Sequence, residues 1–374
     1  MYDVIVVGAG TAGCCLAMLV ARRGHRVLLL ERSGTAGDSP LTHNLGPAAV
    51  RLLMRWGLLE QLVGTGSPPV DRTTVWAGGE RFELPNPPEV PVTYSPRSAI
   101  LASLTSASAI AAGAAFRPSF TVKDLVWAEG AVAGVVGHGP EGHSVCDRGR
   151  VVVGADGRSS LVARVVQAET YDEHPGTNCC YHAYWRGDAG RGPEIFLAER
   201  RAVAVYPTDG ALTWVVAARP VTDWADFKRA PERMYREQME MFPELARRFR
   251  GATRESRFRG TGELGTSLRQ PWGPGWALVG DAGNPRDGTL CLGTSDVCME
   301  TEMLAGALDE ALSGRRPFAE SLVAYHRWRD TRARESHHEI CALASRDWTL
   351  DQLTEVLARV RALRESELVQ LGSA

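Results

Sequence analysis

Two apolar rhythms alternate along the 374-residue chain. Residues 4–7 are a short unbroken apolar run, the mark of a strand buried on both faces. Residues 11–23 carry helical spacing, and residues 26–30 repeat the apolar run. Residues 45–63 have helical periodicity interrupted at Gly57, and the Pro-rich segment 85–91 marks a loop or edge. A long helix follows Arg97. Residues 120–127, 132–136 and 145–153 read as three strands, with 137–142 as a turn. Four further strands, 180–185, 194–198, 202–206 and 212–217, are separated by turn-like segments and predict an antiparallel sheet. Residues 224–249 read as amphipathic helix, 275–280 as a short buried strand and 294–312 as a helix. Residues 317–371 read as two or three helices. The expected fold is α/β: residues 1–80, 96–168 and 270–315 form one discontinuous domain around a doubly wound βαβ start. Residues 81–95 and 169–269 form a β-rich domain interleaved with it, and 316–374 are C-terminal helices.

Composition changes this picture little. A net charge of −2 gives no reason to expect a nucleic-acid partner. Lys123 and Lys228 are the only lysines, so nearly all basic residues are arginine. The eight cysteines include no Cys-x-x-Cys, which argues against structural zinc and for free thiols in a reducing compartment. The vicinal pair Cys179-Cys180 allows a redox-active disulfide, but ordinary burial is favoured. His337-His338 sits in a charged helix and reads as a solvated face. The first strand begins at residue 2, which leaves no room for a signal peptide. Residues 99–116 are too weakly apolar to span a bilayer. The expected location is therefore the cytoplasm, with no membrane span; oligomerisation is left open.

The first loop carries the chemistry. Gly8-Ala-Gly10-Thr11-Ala12-Gly13 lies between a strand and a helix, and Glu31 ends the next strand. Gly8 permits a tight turn, Gly10 lets a pyrophosphate approach the backbone, and Gly13 lets the helix pack close to the sheet. The helix N-terminus offers N–H groups to phosphates, and Glu31 is placed for a ribose hydroxyl. Two more strand-to-loop motifs follow. One is Gly154-Ala-Asp156-Gly157-Arg-Ser-Ser160. The other is Gly280-Asp281-Ala-Gly283-Asn284-Pro-Arg-Asp-Gly288-Thr-Leu-Cys291-Leu-Gly293-Thr294.

These three motifs, with Thr42-His43, Pro96-Arg97 and Arg315-Arg-Pro, resemble the FAD-dependent group A flavoprotein monooxygenases, the aromatic hydroxylase class. The subgroup it looks nearest to lies close to the geranylgeranyl reductase-like oxidoreductases. The resemblance spans essentially the whole chain and implies a Rossmann-like FAD-binding domain (GR2-type) beside a substrate-binding sheet. It implies that Gly8, Gly10, Thr11, Ala12 and Gly13 cradle the pyrophosphate, and that Glu31 and Arg32 hold the adenosine. It places Arg97, Val122, Asp156, Gly157, Gly280, Asp281, Gly293 and Thr294 along FAD, with the last helix N-terminus aimed at the flavin. NAD(P)H is the implied transient electron donor. A reduced flavin would add oxygen to give a C4a-hydroperoxide that hydroxylates or epoxidises a small to medium organic molecule of secondary metabolism.

Departures from the family pattern fall in one loop. Asn284 and Gly288 stand where the family commonly has a histidine or tyrosine and a proline, and Cys291 replaces a glycine. Cys291 and His43 are the candidate residues near the flavin; a small buried cysteine and a structural histidine are the plain alternatives. Asp156 and Asp281 could be simple turn or cap residues, and Arg97 a surface salt bridge. His182, Tyr184, Trp185, Tyr206 and Trp214 are candidate substrate residues, with core packing equally open for each. His182 and Tyr184 share a strand face. Three rival activities stand beside the monooxygenase. An alkene (prenyl-chain) reductase would carry Tyr-x-Trp-x-Phe-Pro, whereas this strand ends Val203-Ala-Val-Tyr206-Pro207. A halogenase would carry Trp-x-Trp-x-Ile-Pro and a tunnel lysine. A flavin-binding protein without catalysis is the third.

Overall fold

The computed structural model describes residues 1–37, 42, 44–187, 190, 192–262, 264–290 and 293–372. The first apolar run becomes the strand Tyr2–Val7 at the centre of a sheet. The strand order is Trp272–Gly273, Trp276–Leu278, Ser144–Gly154, Tyr2–Val7, Val27–Leu30, Ala115–Arg117. All pairs except the outermost hairpin are parallel. Both faces are covered, which is why the run is continuous rather than alternating. Val4 and Val6 join a core with the helices Thr11–Arg22, Ser98–Ala111 and Gly293–Leu312. Ile5 and Val7 face the other way, onto residues of the antiparallel hairpin Thr121–Ala128 and Ala131–His138.

The second sheet runs Thr253–Arg254, Asn178–Arg186, Leu212–Pro220, Arg201–Thr208, Glu194–Ala198, Arg72–Ala77, Glu80–Pro85, with Arg259–Thr261 also paired to Asn178–Arg186. It is antiparallel except where Glu194–Ala198 meets Arg72–Ala77. One face is sealed by Trp224–Arg229, Pro231–Glu240 and Pro243–Phe249, whose side chains form a core with Cys179, Tyr181, Trp185, Val203, Val205 and Val215. The single helix expected over 224–249 is thus three. Pro231 and Pro243 each open a new helix, because proline offers no N–H to the preceding turn. The C-terminal segment forms two helices, Phe318–Ser345 and Leu350–Gly372, divided at Arg346 with φ 49°. They cover the opposite face of the sheet at its Val75–Ala77 and Ile195–Leu197 end. The expected boundary at residue 80 falls inside the 72–85 hairpin, both of whose strands belong to this second sheet. Among the described residues, no helix is long and apolar enough to cross a membrane.

Candidate functional site

The three loop glycines answer to different constraints. Gly8 has φ 101°, and a Cβ there would lie 2.6 Å from the Ala155 carbonyl oxygen. A Cβ on Gly13 would sit 1.8 Å from the Gly8 carbonyl oxygen. Those two are required by the protein itself. Gly10 is not: its φ is −74° and its Cβ would meet nothing within 4 Å among the described residues. It caps the Thr11–Arg22 helix, which has no side-chain cap and no acid in its first turn. A helix start whose N-cap glycine has no side chain, with space at its Cβ among the described residues, is what an anionic pyrophosphate would occupy. The loop therefore fits a dinucleotide.

Glu31 stands beside it. Its carboxylate accepts from the Ala9 N–H and the Ser33 N–H, both at 2.8 Å. Each oxygen keeps a further acceptor site for a ribose hydroxyl. Arg32 is exposed. The Ser119 and Phe120 N–H groups donate to the Ser33 and Glu31 carbonyls at 2.8 Å, so the strand bearing Val122 starts at this end. Asp156 acts as a cap, the plainer of its two readings. It accepts from Ser160 Oγ at 2.5 Å and from the Leu161 and Val162 N–H groups at 2.7 and 3.2 Å. Its backbone nonetheless abuts Gly8, and Gly157 has φ 77° with open space at its Cβ. Arg97 does form a salt bridge, from a partly exposed side chain to a buried partner. Its Nε lies 2.5 Å from Asp209, a carboxylate only 1 % exposed in the turn between two strands of the second sheet. Thr42 bridges to Arg97 and shares a 3.0 Å hydrogen bond with the Tyr184 hydroxyl. Arg97, the N-cap of the Ser98–Ala111 helix, thus links that helix to the second sheet.

The Gly280–Asp281 loop lies against the same helix start. A Cβ on Gly280 would be 3.1 Å from Ala12 Cβ, and the Asp281 side chain is exposed. Beyond it the loop is fastened by buried charges. Glu300 accepts from the Gly280 N–H at 3.0 Å, Asn284 Nδ2 at 2.8 Å and Arg286 Nη2 at 3.0 Å. Arg286 also pairs with Asp296 in the first turn of Gly293–Leu312. Arg332 bridges Asp296, at 2.8 Å, to Glu367 of the last helix. Burial pushes the Glu367 carboxyl pKa up, with Asp296 adding to that and Arg332 opposing it. Arginine side chains hold the loop carbonyls: Arg158 donates to Arg286 O at 2.5 Å, Arg269 to Ala282 O at 2.9 Å, and Arg329 to Gly283 O at 3.3 Å. Gly293 begins the helix and Thr294 is buried behind it. Cys291 and His43 lie outside the described residues.

Sequence reasoning missed this network. Its arginines are not singled out in the sequence from the chain's many others, and His337 reads there as part of a solvated face. His337 is instead 1 % exposed and bonded to Asn284 Oδ1 at 2.9 Å. Because Asn284 Nδ2 is committed to Glu300, its Oδ1 must accept from His337 Nε2–H. Burial and Arg286 press the His337 pKa down to about 3. The one visible signal was Glu300, an acid in the apolar run Val297-Cys-Met-Glu300.

The face of the second sheet that is not sealed by the 224–249 helices carries the aromatic candidates. Tyr184 lies opposite Trp214, and Trp214 opposite Tyr206, so all three share that face with His182. Trp185 points the other way and donates from Nε1 to the Tyr235 hydroxyl in the sealed core at 3.3 Å; it is a core residue. Tyr206 and Trp214 rings lie 5.7 Å apart, and Trp214 and His182 rings 5.4 Å apart. Burial raises the Tyr184 hydroxyl pKa to about 12, so it stays protonated. Ala204, Trp214 and Val216 are only half-buried although they occupy central strands, so this part of the face is open. Cys180 is on the same face and Cys179 on the sealed one; both are free thiols.

Comparison with known proteins accords with this geometry. The family described as FAD binding domain matches residues 1–235, well over half of the chain. The chain is 36% identical over 86 residues to squalene epoxidase of Saccharomyces cerevisiae, covering 23% of this chain and 17% of that enzyme. It is 35% identical over 176 residues to 6-methylpretetramide 4-monooxygenase of Streptomyces rimosus, covering 44% of this chain and 40% of that one. The matched part is therefore less than half the length of either curated relative. Among solved structures, the myxobacterial chondrochloren halogenase superposes with TM-score 0.84 at 21% identity, over 97% of this chain and 90% of that one. PqsL, a probable FAD-dependent monooxygenase from Pseudomonas aeruginosa, superposes with TM-score 0.82 at 20% identity, over 96% and 99%. At such identity these two establish the fold alone.

Proposed function

We propose a function from one premise, that this chain belongs to the FAD binding domain family, with FAD as its cofactor. It is an NAD(P)H-driven monooxygenase that hydroxylates or epoxidises a small to medium, partly apolar organic molecule. The observation that supports this reading is the aromatic face of Tyr184, Trp214 and Tyr206, half-open at Trp214 and tied through Thr42 and Arg97 to the start of the Ser98–Ala111 helix, which packs in the same core as the Thr11–Arg22 helix. FAD supplies the electron transfer and oxygen activation when bound. The chain's residues supply the rest. Gly10 would leave space for the pyrophosphate, and Glu31 would accept from the ribose. The N-terminal end of the Gly293–Leu312 helix would offer its positive dipole end to a bound flavin. The arginine-fastened 282–286 loop fixes that helix in place, and the aromatic face holds the substrate and excludes water.

The halogenase reading has a fold neighbour behind it, but Lys123 and Lys228 are both exposed on the surface and neither lies on the aromatic face. The deciding experiment loads the protein with FAD, reduces it without oxygen and mixes it rapidly with oxygenated buffer. A transient absorbance distinct from reduced and oxidised flavin supports the monooxygenase. Sluggish reoxidation without it favours the alkene reductase, and failure to bind FAD defeats the proposal.

A further inference from the structure

The Leu350–Gly372 helix, 23 residues long, serves two cores. Leu353, Val356, Leu357 and Val360 lie in the cluster over the second sheet, whereas Leu368 and Leu371 belong to the core of the first. A helix of that length runs for about 34 Å, so it reaches from one sheet to the other. Its final turns carry two polar ties. In the first, Glu367 accepts from Arg332 Nη2, which also donates to Asp296 Oδ1 at 2.8 Å. Arg286 pairs with the other Asp296 oxygen and donates to Glu300 at 3.0 Å. Glu300 in turn accepts from the Gly280 N–H at 3.0 Å, and Gly280 abuts Ala12 of the nucleotide loop. None of the five side chains is more than 7% exposed, so bulk water and salt screen these contacts little. In the second tie, the Leu371 carbonyl accepts from Arg55 Nη2 at 2.6 Å. Arg55 ends the Pro47–Arg55 helix, whose N-cap Gly46 stands so near the Gly293–Leu312 helix that a Cβ would lie 2.6 Å from Ser295 Oγ.

The end of one helix thus grips both segments that meet beside the first turn of Gly293–Leu312. A buried charge is tolerated only with its partner in place, so loosening one link of the chain strains the next. A helix that merely covered the second sheet would need no such arrangement at its far end. We propose that the final turns of Leu350–Gly372 are a clamp on the cofactor. Docked, they fix the Gly280–Asp281 loop and the first turn of Gly293–Leu312 in the arrangement that takes FAD, and bound FAD in turn holds them down. Two events that favour one conformation favour each other by the same factor. Arg332 is the positioning residue at the hub, because it joins Glu367 to Asp296 and acts on the loop through Arg286. This inference rests on FAD as the cofactor and not on the monooxygenase chemistry.

Hydrogen exchange read by mass spectrometry on the full chain, with and without saturating FAD, tests the clamp before any substitution is made. Peptides over residues 364–372 should exchange at least about tenfold more slowly with FAD bound, while residues 350–358 change little. Calorimetric FAD titrations carry the test further. Arg332→Met should lower FAD affinity by about tenfold or more and abolish the FAD-dependent protection of 364–372, and the two factors should agree. Should Arg332→Met not fold, Arg55→Ala, at an exposed residue, reads the second tie and should lower the affinity by about threefold. Glu367→Gln keeps an oxygen for Arg332 and should bind FAD as the parent does. Arg359→Ala removes the half-exposed tie to Glu339 near the middle of the same helix and should also leave FAD affinity unchanged. Exchange of 364–372 that ignores FAD would overturn the inference, as would parent-like affinity in a folded Arg332→Met or in Arg55→Ala; FAD binding would then stand without the clamp. An Arg359→Ala loss equal to that of Arg332→Met would overturn it too, since any loosening of the helix would then suffice. A protein that takes up no FAD at all would instead defeat the cofactor assignment, and the inference with it.

Discussion

The nucleotide loop belongs to the first sheet and the aromatic face to the second, and their residues answer to different masters. In the loop the backbone decides. Gly8 and Gly13 are fixed by distances to carbonyl oxygens that no side chain could tolerate, and Gly10 by the space beyond it. On the face the side chains decide. Trp214 orders His182, Thr42 holds Tyr184, and Arg97 reaches across to Asp209. A site made of backbone is recognisable from the spacing of small residues. A site made of paired side chains is recognisable only when the pairing of strands is known.

The sharpest way to break that comparison is to add one methyl group at two positions. Gly13→Ala drives a Cβ into the Gly8 carbonyl and is expected to destabilise the fold by about 5 kcal/mol. Gly10→Ala meets no atom of the described residues, so its unfolding free energy should stay within about 0.5 kcal/mol of the parent. Its FAD affinity should nevertheless fall by about tenfold or more. Thermal denaturation of the two apoproteins, with flavin titrations, checks both. Equal losses of stability would show that Gly10 is structural after all.

The buried network behind the loop offers the next largest effect. Asp296→Ala leaves Arg286 with Glu300 alone and Arg332 with Glu367 alone, each a buried cation with one of its two carboxylates gone, and is expected to cost about 3 kcal/mol in a denaturant titration. Glu367→Gln should be far milder, because burial already favours the protonated carboxyl there. If Glu367→Gln matched Asp296→Ala, the last helix would be as firmly charged as the loop.

Much of the fold was legible before any coordinates. The parallel strands 2–7, 27–30 and 276–278 are buried on both faces, so their apolar runs are unbroken. The hairpin Arg72–Ala77 and Glu80–Pro85 was missed, although its Gly78-Gly79 turn, with φ 60° and 83°, is the pairing favoured in two-residue hairpins. Its partly exposed Glu80-Arg-Phe-Glu strand lacks the apolar run that drew attention elsewhere. In the site, the three glycines and Glu31 were readable because loop geometry imposes their order. Arg158, Arg269, Arg286, Arg329 and Arg332 were not, since a buried arginine is written with the same letter as a surface one. Asp156 was ambiguous for a related reason: the same carboxylate can cap a helix or face a ligand, and here it caps.

Each region holds one neutral buried histidine, and acid should expose both. His337 in the network and His182 on the face have folded pKa values depressed to about 3 and about 4. The unfolded chain binds those protons near pH 6.5, while the folded chain resists them. Stability is therefore full above about pH 6.5 and is lost as pH falls towards 4, by up to about 3 kcal/mol for His182. His337→Gln and His182→Gln should each flatten that slope in urea titrations repeated across the range. An unchanged slope in His182→Gln, with a flatter one in His337→Gln, would place the acid sensitivity in the loop network alone.

The smallest expected effect separates the two regions most finely. Tyr184→Phe removes one hydroxyl, its hydrogen bond to Thr42 and nothing of the ring that faces the site. The loss in unfolding free energy should be about 1 kcal/mol, the net worth of a single hydrogen bond. Thr42→Val removes the other partner, and the double variant should cost less than the sum, because each single change already breaks the shared bond. Thr42 is also bridged to Arg97, the residue that ties the nucleotide side to Asp209. Coupling between Tyr184 and Thr42 should therefore appear in flavin affinity as well as in stability. Strict additivity in both measurements would mean that the aromatic face and the nucleotide loop touch at this bond without informing one another, and that Arg97 alone carries the connection.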